Sequence, residues 1–433
     1  MTESSSSSRI KFLSGLSAFP LKLKFQICLM KYFFNNKRYP LFNRSLTKGS
    51  LIKIQKTLRE LALCKVVRFN NHYYFNLTTP RWPSKAFDNM VAKGGMNILS
   101  AGTPMKLQID TAILAITRKC AYNCKHCYEH YNLGEKEIVP INRWKEMVKE
   151  LQDIGVNIII LSGGEPMLRL EEALSLIDDV DKNLSDIHIH TSGHGVTHEK
   201  ALALKDSGLA AAGIGIDDVA PSRHNTLRGY EGAYQEALQA IHAFSETGIF
   251  TYLNVCLTND IVQSETLHGL LTLAKNLGVG IVRFLEPKPC GGYIEEYIED
   301  IFSEDDRQIV TEFYKEANLS RKYREYPLIS YEAYYEIPDH LGCLMAGHSH
   351  LHIDSLGNVE PCVFLPISFG NILEEDFLII YERMRKTIPK PLRMQCPSIY
   401  LSNTIKAKKN QGITLPIPFE EVEKEWSRMI KEL

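Results

Sequence analysis

The chain has 433 residues, 44% of them hydrophobic, and a formal charge of −1; it is long enough for two or three domains and is neither disordered nor fibrous in composition. No apolar run approaches the ~18 residues of a conventional transmembrane helix, and the polar start, with five consecutive serines, does not read as a secretion signal. Charge is uneven, because residues 1–60 hold 12 Lys or Arg against 2 acidic residues, which gives that end a surface for something anionic.

Residues 1–8 read as a disordered leader. From 12 to 34, Leu, Phe and Ile mix with Lys22, Lys24 and Lys31, the pattern of an amphipathic helix lying against the protein itself or a membrane. The stretch 51–64 reads as helix and 66–77 as strand. A regular alternation then begins, with strands expected at 112–117, 156–161, 186–190, 212–216, 250–257 and 280–285 and helices at 141–151, 170–180, 199–207, 231–247 and 264–277. Six strands separated by helices predict an α/β fold, a partial (β/α)6 barrel whose loops at the strand C-termini converge on one cavity. A helix at 303–317, an irregular stretch at 332–347, a hairpin centred on Gly357, the Gly370-Asn371 turn and an amphipathic helix at 419–430 follow. The expected organisation is an N-terminal accessory region (1–106), the barrel (107–300), a linker (301–340) and a small C-terminal domain (341–433).

The ten cysteines stand at 28, 64, 120, 124, 127, 256, 290, 343, 362 and 396. Without a secretion signal they favour reduced thiols or metal ligands over disulfides, and a cytoplasmic location. Cys28, Cys64 and Cys256 read as core residues. Cys120, Cys124 and Cys127 share the loop after the first strand, where three soft ligands can surround one metal site. Thiolates suit iron–sulfur clusters or zinc, and His126 or His130 could supply a fourth zinc ligand. Ser162-Gly163-Gly164-Glu165-Pro166 follows the second strand. Adjacent glycines let backbone groups approach a ligand and Pro166 limits the turn, although an ordinary strand-to-helix turn has the same residues.

Together these segments resemble the signature of radical S-adenosylmethionine (SAM) enzymes, over residues 109–287 or so. The resemblance implies that Cys120, Cys124 and Cys127 hold three irons of a [4Fe-4S] cluster and leave the fourth for the amino and carboxylate groups of SAM. His126 fills a position that is normally aromatic. Gly163, Gly164, Glu165 and Pro166 would form the motif that binds the methionine amine, with Glu165 an electrostatic partner of the ammonium group. Thr191-Ser192-Gly193-His194-Gly195 is similar to the loop lining the SAM pocket, and Ser192 is its side-chain candidate. Gly215-Ile216-Asp217-Asp218 and the stretch from His224 to Gly229 resemble the entry to the fourth helix in members with an added cysteine-rich domain. The family usually has Ser-Leu-Asp-Gly at the first place and Asp where Asn225 stands, so Asp217 is as readily a turn-fixing residue as a ligand contact. Asn254, on the fifth strand, is either a SAM or substrate contact or a structural amide. Cys290, just past the sixth strand, is open as ligand, hydrogen donor or bystander.

Cys343, Cys362 and Cys396 are too dispersed for spacing alone to define a site. Their surroundings, including Gly347, Gly357, Pro361-Cys362 and Gly370-Asn371-Ile372, resemble the twitch or SPASM-like auxiliary-cluster domain of many radical SAM enzymes, in its single-cluster form. This implies an auxiliary [4Fe-4S] cluster on Cys343, Cys362 and Cys396, its fourth ligand open among Cys290, His348, His350, His352, substrate or no protein group. The resemblance further implies reductive cleavage of SAM to a 5'-deoxyadenosyl radical that abstracts hydrogen from a peptide or protein, with an electron donor such as a flavodoxin or ferredoxin as partner. The alternatives are a small-molecule or lipid-linked substrate, and a non-catalytic metal-stabilised scaffold that binds a partner. Residues 66–77 offer a strand edge to a peptide, and the basic, apolar start offers peripheral membrane contact. No nucleic-acid partner is expected, because the basic excess is local and no binding motif accompanies it.

Overall fold

The computed structural model describes residues 10–24, 65–93 and 109–432, apart from positions 22 and 339; the expected helix at 51–64, Cys28 and Cys64 lie outside the described residues. Strands β1 (Lys11–Leu13), β2 (Val66–Phe69) and β3 (His72–Tyr74) form a small antiparallel sheet. The centre of the molecule is a nine-stranded sheet. Six parallel strands run side by side in it in chain order: β4 (Thr111–Thr117), β5 (Ile158–Gly163), β6 (Asp186–Thr191), β7 (Ala211–Gly215), β8 (Phe250–Cys256) and β9 (Ile281–Leu285). β10 (Leu328–Ser330) adds in parallel to β9 at one edge; at the other, β11 (His350–Ile353) pairs in parallel with β4 and carries β12 (Val359–Glu360) antiparallel.

The helices between the six strands are α1 (Ile141–Asp153), α2 (Leu170–Asp179), α3 (His198–Asp206), the pair α4 (Pro221–Arg228) and α5 (Ala233–Glu246), and α6 (Ser264–Asn276). One residue in two along each strand faces them. Ala112, Leu114, Ile116, Ile159, Leu161, Ile187, Ile189, Ala212, Ile214, Leu253 and Val255 are buried in one core with the helices. α1 meets that core with Trp144, Met147, Val148 and Leu151, the spacing of one helical face.

The alternate residues face the other way; Ile113, Ile158 and Ile160 form a small apolar cluster among them, and Ser162, His188, His190, Tyr252, Asn254, Arg283 and His350 are polar. His350 of β11 and Arg283 of β9 stand near opposite ends of the strand order, yet the Arg283 charge acts on the His350 ring. The sheet is therefore curled around a polar interior, the partial (β/α)6 barrel expected from the alternation of strands and helices.

The N-terminal sheet closes one end of this barrel. Val67, Phe69 and Tyr74 pack on Ala211, Phe250, Ile281 and Leu328, the first residues of β7, β8, β9 and β10. The Tyr74 ring stacks on Phe250 with centroids 3.7 Å apart, and Arg81 pairs with Asp186, the first residue of β6, at 3.4 Å. The 66–77 strand edge thus lies at the end opposite the cysteine loop, which follows the C-terminus of β4. The expected location, cytoplasmic with membrane association through the N-terminal region, needs correction. Among the described residues no helix is long and apolar enough to cross a membrane. Phe12 lies in strand β1, and it and Ile10 are packed against the protein's own core; the membrane association is withdrawn.

Candidate active site

The cysteine loop and the glycine turn are built as one unit. Parallel pairing of β4 with β5 brings the two strand ends together, and their backbones continue to bond beyond the strands: Gly164 N–H donates to Thr117 O (2.8 Å) and Glu165 N–H to Lys119 O (2.7 Å). A Cβ on Gly164 would stand 2.1 Å from Lys119 O. The glycine is needed because the turn lies directly on the chain entering Cys120.

Glu165 is 1% exposed, and protein donors engage both its oxygens. Met167 N–H (3.1 Å) and Thr191 Oγ1 (2.7 Å) donate to Oε1, while the Ser192 N–H (2.7 Å) and hydroxyl donate to Oε2. The side chain thus fastens the turn to the loop after β6, and the Ser192 hydroxyl is spent on the same net. Pro166 opens a buried single-turn helix, Pro166–Arg169, for which Glu165 is the N-cap. Asn254 faces the interior from β8, its Oδ1 buried and without a hydrogen-bond partner among the described residues.

The three thiols share one environment. Burial pushes Cys120 up to about 11 and Cys127 well above the ordinary thiol range, and the charges of the other two thiols add to the effect on Cys127. Burial also raises Cys124, but Arg228 opposes it. Thiols that burial and mutual repulsion keep protonated become stable thiolates when cationic irons stand between them, so the donor set fits a cluster. Among the described residues no three His, Cys, Asp or Glu side chains are placed to hold one metal ion. Cysteines that bond to different irons of a cluster need not converge on one point, whereas a tetrahedral zinc site requires that convergence.

Arg228 is the residue that motif reading missed. It ends α4 and donates to Asp217 through Nε (2.7 Å) and Nη2 (3.1 Å), while Asp217 Oδ1 also accepts the Cys256 N–H at 3.0 Å. Asp217 is fully buried; burial works against its ionisation, but Arg228, with His126 and His224, holds it down to about 2. Its partners are thus all protein groups, and through Arg228 it sets a positive charge beside Cys124. The same helix end grips the loop: Lys125 N–H donates to Leu227 O at 3.0 Å. His126 is wedged between these elements, its Nδ1 without a partner among the described residues, and burial lowers it to about 4.

The second cysteine set is gathered from three segments. Cys343 pairs its backbone with Leu392, Cys362 follows β12 and accepts the Phe364 N–H at 3.5 Å, and Cys396 caps α7 (Pro397–Asn410) without a side-chain cap bond. Burial raises all three, and the Cys396 charge raises both Cys343 and Cys362 further. Cys290 belongs to the same neighbourhood, because it and Cys396 raise each other's companions: Cys396 acts on Cys290, and Cys290 on Cys362. The histidines face other groups. His348 bonds Ile388 O at 3.0 Å, His352 lies 3.3 Å from Glu129, and His350 faces Arg283.

Comparison with known proteins follows the same two-part layout. The profile of the radical SAM superfamily matches residues 114–275, and that of the SPASM iron–sulfur cluster-binding domain matches residues 343–398. The AdoMet-dependent heme synthase of Nitratidesulfovibrio vulgaris is 26% identical over 292 residues, 62% of this chain and 77% of that protein. The probable GTP 3',8-cyclase of Methanococcus aeolicus is 30% identical over 202 residues, 45% of this chain and 64% of that one. Among solved structures, SuiB of Streptococcus suis bound to the precursor peptide SuiA is similar in fold, with a TM-score of 0.54 and 19% identity over 69% of this chain and 73% of that one.

Proposed function

Since the chain belongs to the radical SAM superfamily, and is an enzyme of the kind that carries a C-terminal SPASM domain, we propose that it abstracts hydrogen from a peptide or protein substrate using SAM and two [4Fe-4S] clusters. The observation that carries the reading is the backbone bonding of the 163–166 turn to the segment entering the cysteine loop, which puts a cluster-binding loop and a backbone-rich ligand turn at one strand end. When bound, the cluster and SAM supply an electron transfer that cleaves SAM to methionine and a 5'-deoxyadenosyl radical.

The chain's own residues bind and orient. Cys120, Cys124 and Cys127 hold the SAM-binding cluster, and Arg228 offsets negative charge at Cys124. Gly163 and Gly164 offer backbone groups to the methionine amine, while Glu165 and Ser192 keep that backbone in place and Pro166 starts the turn that follows. Asn254 presents its free oxygen to SAM or substrate. Cys343, Cys362 and Cys396 hold the auxiliary cluster, with Cys290 the neighbouring thiol. The N-terminal sheet seals the far end of the barrel against water. A flavodoxin or ferredoxin would deliver the electron, and the division of the chain at 107, 301 and 341 belongs to the same proposal.

A peptide substrate draws support from SuiB, a similar fold seen with a precursor peptide. A second reading, a heme-like small molecule, is favoured by the heme synthase similarity, whose 292 residues exceed the length of the barrel. Anaerobic reconstitution tests the cofactor assignment: about eight irons per chain are expected, falling to about four when either cysteine set is replaced by alanine, and a native value near four overturns the two-cluster reading. Reduced protein with SAM and a peptide or porphyrin substrate should release 5'-deoxyadenosine with a change in substrate mass. Its absence with both substrate kinds overturns the radical chemistry.

A further inference from the structure

Arg283 points from β9 into the barrel, beside Asn254 in the register of β8 with β9. Its Nε donates to Glu332 Oε2 at 3.3 Å, and the other oxygen of Glu332 accepts the Ser330 hydroxyl at 2.9 Å. Glu332 is thereby fixed and fixes the guanidinium in turn. Neither Nη1 nor Nη2 of Arg283 has a hydrogen-bond or ion-pair partner among the described residues. Arg283 lies deep in the protein yet keeps accessible surface, so both nitrogens face interior space.

The walls around that fork are donors. His190 shares a 2.8 Å hydrogen bond with the Tyr252 hydroxyl, and His350 approaches from β11. Burial first, and the Arg283 charge second, lower both imidazoles, which are neutral at neutral pH and can each donate one hydrogen bond. Tyr252 fits here because β7 has no side chain opposite it: a Cβ on Gly213 would stand 2.4 Å from its ring. Nearby acids do not occupy the fork. Glu286 is paired with Lys288 (2.7 Å) and Arg307 (3.1 Å), and Glu336, whose charge acts on Arg283, forms no hydrogen bond or ion pair with it among the described residues.

A guanidinium held through Nε leaves two parallel N–H donors in the spacing of a carboxylate, open to the interior space. The geometry points to a carboxylate of the substrate seated on Nη1 and Nη2 of Arg283, with His350 and the one proton that the His190–Tyr252 bond leaves over as adjoining donors. This names the recognition chemistry of the site proposed above and rests on that proposal. The carboxylate is that of an acidic peptide or of a carboxylated heme-like molecule, and the experiment separates the two.

Full-length, anaerobically reconstituted protein is assayed by equilibrium dialysis in the presence of SAM, with two probe pairs. One pair is coproporphyrin III and its tetramethyl ester. The other is an acidic peptide and the same peptide with Asp and Glu changed to Asn and Gln and its C-terminus amidated. The acid form of one pair is expected to bind at least about tenfold more tightly than its masked form. Arg283→Lys, which keeps the charge and loses the fork, weakens that form by about tenfold, and Arg283→Met removes the discrimination. Iron content and SAM affinity report that each variant is folded and loaded. Equal binding of acid and masked forms in both arms, no binding in either arm, or discrimination that survives Arg283→Met overturns the inference. Native protein that loads no cluster or binds no SAM instead fails the radical SAM reading itself, so the two failures are distinguishable.

Discussion

Replacing Gly164 with alanine should uncouple the ligand turn from the cysteine loop. The new Cβ would lie 2.1 Å from Lys119 O and 2.6 Å from Lys119 C, both backbone atoms with no rotamer to yield. To reach ordinary contact the two segments must separate by roughly 1 Å, which breaks or stretches the Gly164 to Thr117 and Glu165 to Lys119 bonds. At about 1 kcal/mol each, with local strain added, the loss is about 2–4 kcal/mol. Because the turn carries the backbone groups assigned to the methionine amine, SAM affinity should fall at least about tenfold. Urea denaturation of the apo chain and isothermal titration of SAM into the reconstituted chain measure the two effects. Gly269→Ala is the control: it lies within α6, its Cβ would meet only Val219 at 3.4 Å, and it should be neutral or stabilising by about 0.5–1 kcal/mol. A Gly164→Ala protein with native stability and native SAM affinity would refute the proposed coupling.

Asp217→Asn leaves the buried Arg228 without its counter-charge and should cost about 3 kcal/mol in urea denaturation; a loss under about 1 kcal/mol would show that Arg228 finds other partners. Because Arg228 and the neighbouring histidines hold Asp217 down to about 2 in the folded chain, below its ordinary 3.8, its stabilisation is complete above that ordinary value. On the order of 2 kcal/mol is then lost as pH falls from about 4 to about 2, and acid titration of native protein against Asp217→Asn isolates that slope. Tyr74→Ala, which removes the ring stacked on Phe250, should destabilise the chain by about 3 kcal/mol while leaving SAM affinity unchanged. A change in SAM affinity would mean that the barrel floor reaches the site.

The barrel was legible because its strands carry long Ile, Val, Leu and Ala runs separated by helices of one apolar face, and all six strands fall within two residues of expectation. β10 and β11 were not, since three and four residues are too few for a periodic signal, and their place is set by pairing with β9 and β4. The motif residues were legible as motifs, but the partners of their side chains were not. Glu165 reads in sequence as an electrostatic partner for an ammonium group, and only the fold shows that Thr191, Ser192 and Met167 also donate to its oxygens. Arg228 lies inside the stretch from His224 to Gly229 that resembles the family, but its place beside Cys124 shows only through the ion pair with Asp217. One signal was available: an Arg at the end of a helix that stops at Gly229, eleven residues after Asp217 in the same family-like stretch.

The segment leaving the sixth barrel strand ties the two cysteine sets together. Gly292 N–H donates to Cys127 O at 2.9 Å, and a Cβ on Gly291 would stand 2.0 Å from that same oxygen, so the chain at 291–292 is pressed onto the first cysteine loop. One residue earlier, Cys290 sits within the field of Cys396 and acts on Cys362. Any displacement of the loop that holds Cys127 is thus carried by the backbone to Cys290, the thiol beside the second set. The N-terminal sheet packs on the first residues of β7, β8, β9 and β10, at the end of the barrel opposite this junction of the two cysteine sets.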